Sequence, residues 1–186
     1  MDDDLEDKVI KRLIEPTISG MAADGCAFTG VLFAGVMVVD GEPILLEHNI
    51  RFGDPECQVL MMRFEGDLAK VLYACATGEL DNVRDEMRWS DDAALCVVMA
   101  ANGYPSDYKK GSLVKNLDKA NGIEGVHVFH AGTALQDGVI SVGGRVLGVT
   151  AKAPSIRTAQ ERAYQAVDVV DWPEGFCRRD IGYRAV

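Results

Sequence analysis

Three polar residues, Glu47, Asn49 and Arg51, occupy alternate positions just after an apolar segment. In an extended strand, alternate side chains project from one face, so these three are expected to lie side by side. A carboxylate and an amide supply the oxygen ligands that Mg²⁺ accepts, usually together with water and substrate phosphates. A guanidinium next to them can bind a carboxylate or a phosphate through two parallel hydrogen bonds. The pattern indicates a metal-assisted site for an anionic substrate.

The same spacing also fits a solvated strand that carries an Arg–Glu pair. Without further context, spacing alone favours this ordinary interpretation over a metal site. The free-energy cost of burial favours a metal site, because polar groups in a core strand are costly to bury unless they are paired or bind a ligand.

A predicted β-hairpin positions the three residues. The apolar, β-branched segment 29–39 predicts a buried strand, Asp40-Gly41 predicts a tight turn, and residues 44–50 predict the returning strand. Pro55 suits the first turn of the following helix, with Asp54 as its N-cap.

The remaining pattern predicts an α+β fold with an antiparallel sheet. The late helix is predicted to begin after a cap at Ser155 and to turn a row of small residues inward. Residues 80–93 form the most polar stretch and suggest a boundary. Helices are predicted over 4–24 (with a bend or restart at Pro16), 55–64, 67–77 and 154–170, and strands over 94–101, 126–130 and 138–150, the last two linked across Gln136-Asp137-Gly138.

Composition limits the partners. The net charge is -10 and the sequence pI is about 4.7, so a nucleic-acid backbone is not an expected partner. Five widely spaced cysteines without a paired C-x-x-C element predict reduced thiols and neither zinc nor a disulfide framework. No apolar run reaches the roughly 18 residues of a membrane span. These observations predict a cytoplasmic protein with no membrane partner.

Several longer motifs resemble one family closely. The order and spacing of these motifs over nearly the whole chain resemble the phosphoribosylamine–glycine ligases, which have the ATP-grasp fold. The motifs are Gly30-Val-Leu-Phe-Ala-Gly-Val-Met37, Leu46-Glu-His-Asn-Ile-Arg-Phe-Gly-Asp-Pro-Glu-Cys-Gln58, Val97-Val-Met-Ala-Ala-Asn-Gly-Tyr-Pro105, Val128-Phe-His-Ala-Gly-Thr133, Gly143-Gly-Arg-Val-Leu147 and Arg179-Asp-Ile-Gly182.

The resemblance implies a fold and a reaction. Residues 1–88 are expected to form the C-terminal part of an ATP-grasp domain with the metal site, and residues 89–186 a small C-terminal α/β domain. The family joins glycine to phosphoribosylamine with ATP, through a glycyl phosphate, in purine biosynthesis. ATP, glycine and phosphoribosylamine are thus the expected small-molecule partners.

The resemblance also implies roles for residues. Glu47 and Asn49 match the ligands of Mg²⁺ or Mn²⁺, and the metal in turn bridges the nucleotide phosphates. Arg51 and Asp54 are expected to be catalytic. The substrate-binding group implied by the resemblance is Arg51, Gly53, Asp54, His130, Thr133 and Arg145. From the residues alone, a lone histidine such as His130 is more often structural, and His48 is expected to pack and not to bind metal.

The family's chain is more than twice as long as this one, so the resemblance covers only its C-terminal portion. The glycine-rich lid over ATP and the N-terminal half are expected partners that the 186 residues do not supply. The isolated chain is therefore expected to be inactive. The alternatives are a non-catalytic ATP-grasp remnant or binding module, and a sister ligase with another substrate.

Overall fold

The structure, a computed structural model, describes residues 2–186, and these form two compact units. Unit 1 comprises the chain up to Gly53 together with Asp67–Met87, and unit 2 comprises Asp54–Gly66 together with Arg88–Val186. Both units combine helices with antiparallel strands, so the predicted α+β class is confirmed.

The first helical segment of unit 1 is interrupted. Helix α1 (Asp3–Val9) is capped by the Asp2 carboxylate, which accepts from the Leu5 amide at 2.9 Å. A π-helical turn (Ile10–Ile14) follows, and α2 (Glu15–Ala23) then carries Pro16 in its first turn. The Glu15 amide donates to the Ile10 carbonyl, and Val9, Ile14 and Glu15 keep right-handed helical dihedrals, so the backbone stays helical through this turn. The predicted bend or restart at Pro16 thus corresponds to a change in the helical hydrogen-bond pattern and not to a break.

A two-stranded antiparallel ribbon follows, with β1 (Phe33–Val39) paired to β2 (Glu42–Asn49). Asp40 and Gly41 both have positive φ, at 51° and 78°, as a tight hairpin turn requires. The turn prediction is confirmed, but the prediction of a buried first strand is wrong. No residue of β1 is buried, and Val38 is 50 % exposed. The apolar run suggested cover on both faces, whereas β1 has a single strand neighbour in the described unit.

Helix α4 (Leu68–Thr77) and a 3₁₀ helix (Leu80–Glu86) complete unit 1. The Asp67 carboxylate accepts from the Lys70 amide at 3.0 Å and caps α4 at its start. Gly78 ends the helix in the left-handed conformation, at φ 75°, as its sequence position predicts. The 3₁₀ helix was not predicted, because its two apolar residues, Leu80 and the buried Val83, are too few to show a helical period within a polar stretch.

Unit 2 is built on a four-stranded sheet with helices packed on it. The strands are β3 (Ala93–Ala101), β4 (Val126–His130), β7 (Arg145–Ala153) and β8 (Gly175–Phe176), and the helices of this unit are α3 (Glu56–Arg63), α5 (Leu117–Asn121) and α6 (Ile156–Val169). The strand order in the sheet is β4-β7-β3-β8. The two long strands, β3 and β7, pair antiparallel, with Val97 opposite Val149, and both side chains are fully buried. Helix α3 packs on β3 and β7, as does α6.

Helix α6 packs closely because its inner face is made of small residues. Ala159, Ala163 and Ala166 are fully buried, and Val170 just beyond the helix is 9 % exposed. The Ser155 hydroxyl accepts from the Thr158 amide at 3.1 Å and so acts as the predicted N-cap. By contrast Met61 and Met62 of α3 are half-buried and lie outside the main buried cluster.

Two predictions for unit 2 are wrong. Residues 138–150 are two strands, since β6 (Val139–Ser141) pairs with β5 (Thr133–Leu135) and only β7 joins the main sheet. The turn at 136–138 therefore closes a small hairpin and does not link β4 to β7. Helix α3 has Pro55 at its N-cap position, without a side-chain cap, so Asp54 is not the predicted cap. The Asp54 carboxylate is held by other residues of unit 2.

The outer edge of β4 is closed by a side chain. The Asn121 amide oxygen accepts from the Val128 backbone N–H at 2.8 Å, and the Val126 N–H donates to the Ile123 carbonyl at 3.1 Å. Edge amides without partners attract other strands. Asn121 therefore satisfies a donor that the sheet itself leaves open.

Replacing Asn121 with alanine should lower the free energy of unfolding by about 1 kcal/mol, because the half-buried amide of Val128 loses its acceptor. Amide exchange of Val128 should accelerate by a matching factor. Asn82→Ala, at an exposed position of unit 1, is the control and should leave both readings unchanged. Unaltered Val128 exchange in Asn121→Ala would contradict the edge-capping role.

Candidate functional site

The structure brings Glu47 and Asn49 together on β2. The Asn49 amide nitrogen donates to Glu47 Oε1 at 3.1 Å. Glu47 is exposed and Asn49 is half-buried, so both side chains are open to a ligand. A carboxylate and an amide side by side match a cation site that keeps waters and takes phosphate oxygens as further ligands. To bind a cation between them, the amide of Asn49 would turn its oxygen toward Glu47.

Gly35 makes room for Glu47. It lies directly opposite Glu47 in the ribbon, next to an irregularity in the β1–β2 register. A Cβ at Gly35 would stand 3.1 Å from Glu47 Cγ, close enough that the Glu47 side chain would have to shift by a few tenths of an ångström. The absent side chain lets the Glu47 stem lie across the strand. The sequence signal was the glycine within Phe33-Ala-Gly-Val-Met37, which interrupts an apolar run.

The neighbouring His48 has a packing role. Its Nε2 lies 3.1 Å from the Thr17 hydroxyl of α2, and the residue is half-buried. On the same side of the hairpin, Glu42 forms ion pairs with Lys8 at 3.2 Å and with Arg12. The helical segment thus contacts this face of β2 at Glu42 and His48, while Ile44 and Leu46 between them remain exposed. The expectation that His48 packs is confirmed.

Arg51 does not continue the strand. Strand β2 ends at Asn49 and the chain bends at Ile50 and Arg51, so strand alternation no longer fixes the direction of the Arg51 side chain. Its guanidinium donates to the Phe52 carbonyl at 2.8 Å, and the residue is exposed. The prediction of three residues on one strand face is therefore wrong for the third. Gly53, two residues further along the chain, is buried.

The antiparallel register gathers the motifs of unit 2 at one end of its sheet. His130 at the end of β4 lies opposite Leu147 in β7, and Ala100 near the end of β3 lies opposite Arg145. The segments 101–105, 130–133 and 143–145 consequently meet there. They are packed tightly, because a Cβ at Gly132 would lie 2.6 Å from the Gly143 Cα.

The loop after β4 carries His130 and Thr133. His130 Nδ1 lies 3.0 Å from the Thr133 hydroxyl, so the two predicted site residues are in contact. Gly132 between them accepts at its carbonyl from the amides of Val142 and Gly143, at 2.7 and 3.1 Å. These bonds fix the loop while the His130 side chain remains exposed.

Asp54 and Arg145 form the most elaborate contact at this end. Arg145 Nη2 lies 3.0 Å from Asp54 Oδ2, and Arg145 Nη1 donates to the Asp54 carbonyl at 3.1 Å. Gln58 Nε2 donates to the other carboxylate oxygen at 3.4 Å. Sequence reasoning missed Gln58, although it stands four residues after Asp54 and reaches back one helical turn.

The thiols of unit 2 are poor nucleophiles. Burial raises the pKa of the Cys96 thiol to about 11. Burial, and then the negative charge of Asp54, raise the pKa of Cys57. Because a thiolate is the reactive form, these shifts disfavour covalent catalysis by cysteine near neutral pH. Within residues 2–186 there is also no cluster of three or more His, Cys, Asp or Glu side chains that could hold a metal ion.

Thiol labelling at pH 8 should therefore be strongly selective. With a pKa of about 11, Cys96 is ~0.1 % thiolate at this pH and its burial blocks the reagent, whereas Cys26 is exposed. Raising the pH toward 11 should increase Cys96 labelling. Mass spectrometry after brief iodoacetamide treatment measures each site, and labelling in guanidinium is the control for all five. Equal rates at Cys26 and Cys96 in the folded chain would disprove this ranking.

The chain matches two models of one enzyme family. Residues 1–57 match the model of the phosphoribosylglycinamide synthetase ATP-grasp (A) domain, and residues 94–184 match that of the phosphoribosylglycinamide synthetase C domain. Across residues 2–186, no helix is both long enough and apolar enough to cross a membrane.

Curated relatives and a solved structure carry a matching name. The phosphoribosylamine–glycine ligase of Arabidopsis thaliana, described as chloroplastic, is 56 % identical over 188 residues, which cover 98 % of this chain and 35 % of that protein. The Brucella melitensis ligase is 54 % identical over 180 residues, which cover 96 % of this chain and 42 % of that protein. The crystal structure of the Thermotoga maritima ligase superposes with a TM-score of 0.82 at 31 % sequence identity. The superposition covers 97 % of this chain and 44 % of the Thermotoga chain. This chain thus spans about two fifths of the relatives' length.

Proposed function

Because the chain belongs to the phosphoribosylamine–glycine ligase family and corresponds to its C-terminal part, we propose that it contributes to an ATP-dependent ligation of glycine to phosphoribosylamine. The products are glycinamide ribonucleotide, ADP and phosphate, as expected for de novo purine biosynthesis. The observation that carries the proposal is the match of both the A-domain and the C-domain models, in that order, along one chain.

The proposed reaction has two steps. A glycine carboxylate oxygen attacks the γ-phosphorus of ATP, so that ADP leaves and glycyl phosphate forms. The amine of phosphoribosylamine then attacks the carbonyl carbon, the C–O bond to phosphate breaks, and the amine loses a proton. Both steps depend on charge neutralisation and on orientation of the reactants.

We assign Glu47 and Asn49 to the binding of a divalent cation, Mg²⁺ or Mn²⁺. When bound, the cation supplies charge neutralisation at the nucleotide phosphates. The assignment is supported by the 3.1 Å contact between the two side chains and by the space that Gly35 leaves over Glu47. Only two protein ligands are needed, since Mg²⁺ ordinarily keeps several waters.

The remaining site residues are proposed to serve the substrates. Arg51 is exposed and one of its amino groups donates to Phe52, so the rest of its guanidinium can bind the acyl phosphate or a substrate anion. Gly53 and Asp54 are assigned to the loop beside the substrate. The Asp54 carboxylate is also proposed to be catalytic. His130 and Thr133 would line the pocket from the loop after β4, where their mutual contact fixes the imidazole.

The domain assignment is likewise a proposal. We assign residues 1–88 to the ATP-grasp part and residues 89–186 to the C domain, on the basis of the two family models. In the structure, Asp54–Gly66 packs within the same compact unit as the second of these segments. The cytoplasm is the proposed location, supported by five free cysteines.

A chimera tests the proposed activity. The part of the Brucella melitensis ligase that this chain matches would be replaced by this chain, leaving the upstream part of that ligase in place. The chimera should release ADP only when ATP, glycine and phosphoribosylamine are all present. Absence of turnover, when the intact Brucella enzyme prepared in parallel is active, would contradict the proposal and favour a non-catalytic binding module.

Within the chimera, Glu47→Gln and Asn49→Ala should each weaken binding of the activating metal by about 10- to 100-fold, because the first removes the negative charge of one ligand and the second removes the oxygen of the other. The measurement is the Mn²⁺ or Mg²⁺ concentration for half-maximal ADP release. Glu6→Gln, an exposed change on α1, is the matched control and should leave it unchanged. An unaltered metal requirement in both site variants would refute the ligand assignment.

The 186-residue chain by itself should not release ADP from the three substrates, because the relatives use more than twice this length. The coupled assay used for the chimera measures this, with the intact Brucella enzyme as positive control. Robust turnover by the chain alone would show that the upstream part is dispensable.

A further inference from the structure

Asp54 is held at all three of its acceptor atoms by residues of unit 2. Arg145 engages the carboxylate at 3.0 Å and the backbone carbonyl at 3.1 Å, and Gln58 reaches the second carboxylate oxygen at 3.4 Å. A guanidinium that binds both the side chain and the main chain of one residue restrains rotation as well as position. The turn that carries Asp54 is thereby fastened to the start of β7.

Gln58 is itself placed by close packing. A Cβ on Gly148 of β7 would stand 3.4 Å from Gln58 Cγ and 3.3 Å from Cys96 Sγ, so the Gln58 stem lies against bare backbone. Its amide nitrogen points to Asp54, while its buried Oε1 has no hydrogen-bond partner. Leaving a buried acceptor unpaired costs about 1–3 kcal/mol. The orientation is tolerated because the reverse one would aim that oxygen at the Asp54 carboxylate.

The guanidinium of Arg145 is committed to this contact. Both of its terminal nitrogens bond Asp54, although its side chain is 42 % exposed. An exposed ion pair adds little to stability. Such a pair can instead matter by fixing the position of the carboxylate, because misplacing a reacting group by about 1 Å can lower a rate by about 100-fold.

We propose that Arg145 and Gln58 are positioning residues, which hold the Asp54 carboxylate in its reactive orientation and do not themselves bind substrate. This inference rests on the proposed function, in which Asp54 serves the substrate site. It assigns Gln58 a role in positioning Asp54. It also replaces the substrate-binding role expected for Arg145 with a positioning role.

The test uses steady-state kinetics of the chimera. Arg145→Gln should lower kcat by about 10- to 100-fold and leave the KM values for glycine and phosphoribosylamine within about twofold, as expected for lost orientation. Arg145→Lys should recover part of kcat, because the ammonium keeps one bond to the carboxylate. Gln58→Met, of similar shape but without the donor, should lower kcat in the same manner. Arg157→Gln, an exposed arginine on α6, is the control.

A double-mutant cycle separates positioning from direct contact. In an Asp54→Asn background, Arg145→Gln should change kcat by no more than about twofold, because its target is already altered. If the reductions in kcat caused by Arg145→Gln and Asp54→Asn multiply in the double variant, Arg145 acts independently of Asp54. A large rise in KM with unchanged kcat would show that Arg145 binds a substrate anion. Either result overturns the inference while the activity of the parent chimera upholds the proposed function.

Amide exchange in the 186-residue chain provides a readout that needs no catalysis. Arg145→Gln should speed exchange at Leu60 and Met61, whose amides hydrogen-bond back to the first turn of α3, by about tenfold, with no change in Arg157→Gln. An inactive parent chimera would count against the proposed function alone. Unchanged exchange in Arg145→Gln would count against the fastening of the Asp54 turn alone.

Discussion

The antiparallel register of β4, β7 and β3 is the constraint on which the candidate site of unit 2 depends. Because the outer strands run opposite to the central one, the ends of β3 and β4 meet the beginning of β7. Segments about 30 and 40 residues apart in sequence thus become neighbours. A shift of one residue in this pairing would turn Arg145 to the other face of the sheet and break its contact with Asp54.

Packing on both faces of the sheet fixes this register. Helix α6 presents alanines to one face, which allows its backbone to approach the buried valines of β3 and β7. Helix α3 packs on the same two strands, and Gly148 gives its Gln58 stem a bare surface to rest on. The residues that are smallest therefore set the distances at which the polar groups meet. The geometry of the candidate site in unit 2 thus depends on where side chains are missing as much as on where charges are present.

Local patterns allowed much of this to be predicted from the sequence. Ser155 and the alanine row identified α6, Gly78 ended α4, and Asp40-Gly41 gave the hairpin, because each depends on neighbours within a few residues. The contact of Glu47 with Asn49 followed from strand alternation. Arg51 does not follow strand alternation because β2 ends at Asn49. The end of a strand is set by backbone hydrogen bonds to its neighbour, which the sequence does not reveal directly.

Non-local features were beyond such rules. The bond between Arg145 and Asp54 joins residues 91 positions apart, and neither residue's local pattern indicates the other. The apolar character of β1 suggested burial, yet burial depends on what covers a strand. The resemblance of the motifs suggested roles for these residues, and the structure shows which of them contact each other.

The most direct test of the account follows the oxygen atoms of glycine. The chimera would be given ATP, phosphoribosylamine and glycine labelled with ¹⁸O in its carboxylate, and the inorganic phosphate would be analysed by mass spectrometry. If this chain completes a ligase that proceeds through glycyl phosphate, one labelled oxygen per turnover should appear in phosphate. Unlabelled phosphate released alongside ADP would contradict the account, because no bond between the carboxylate and phosphorus would have formed.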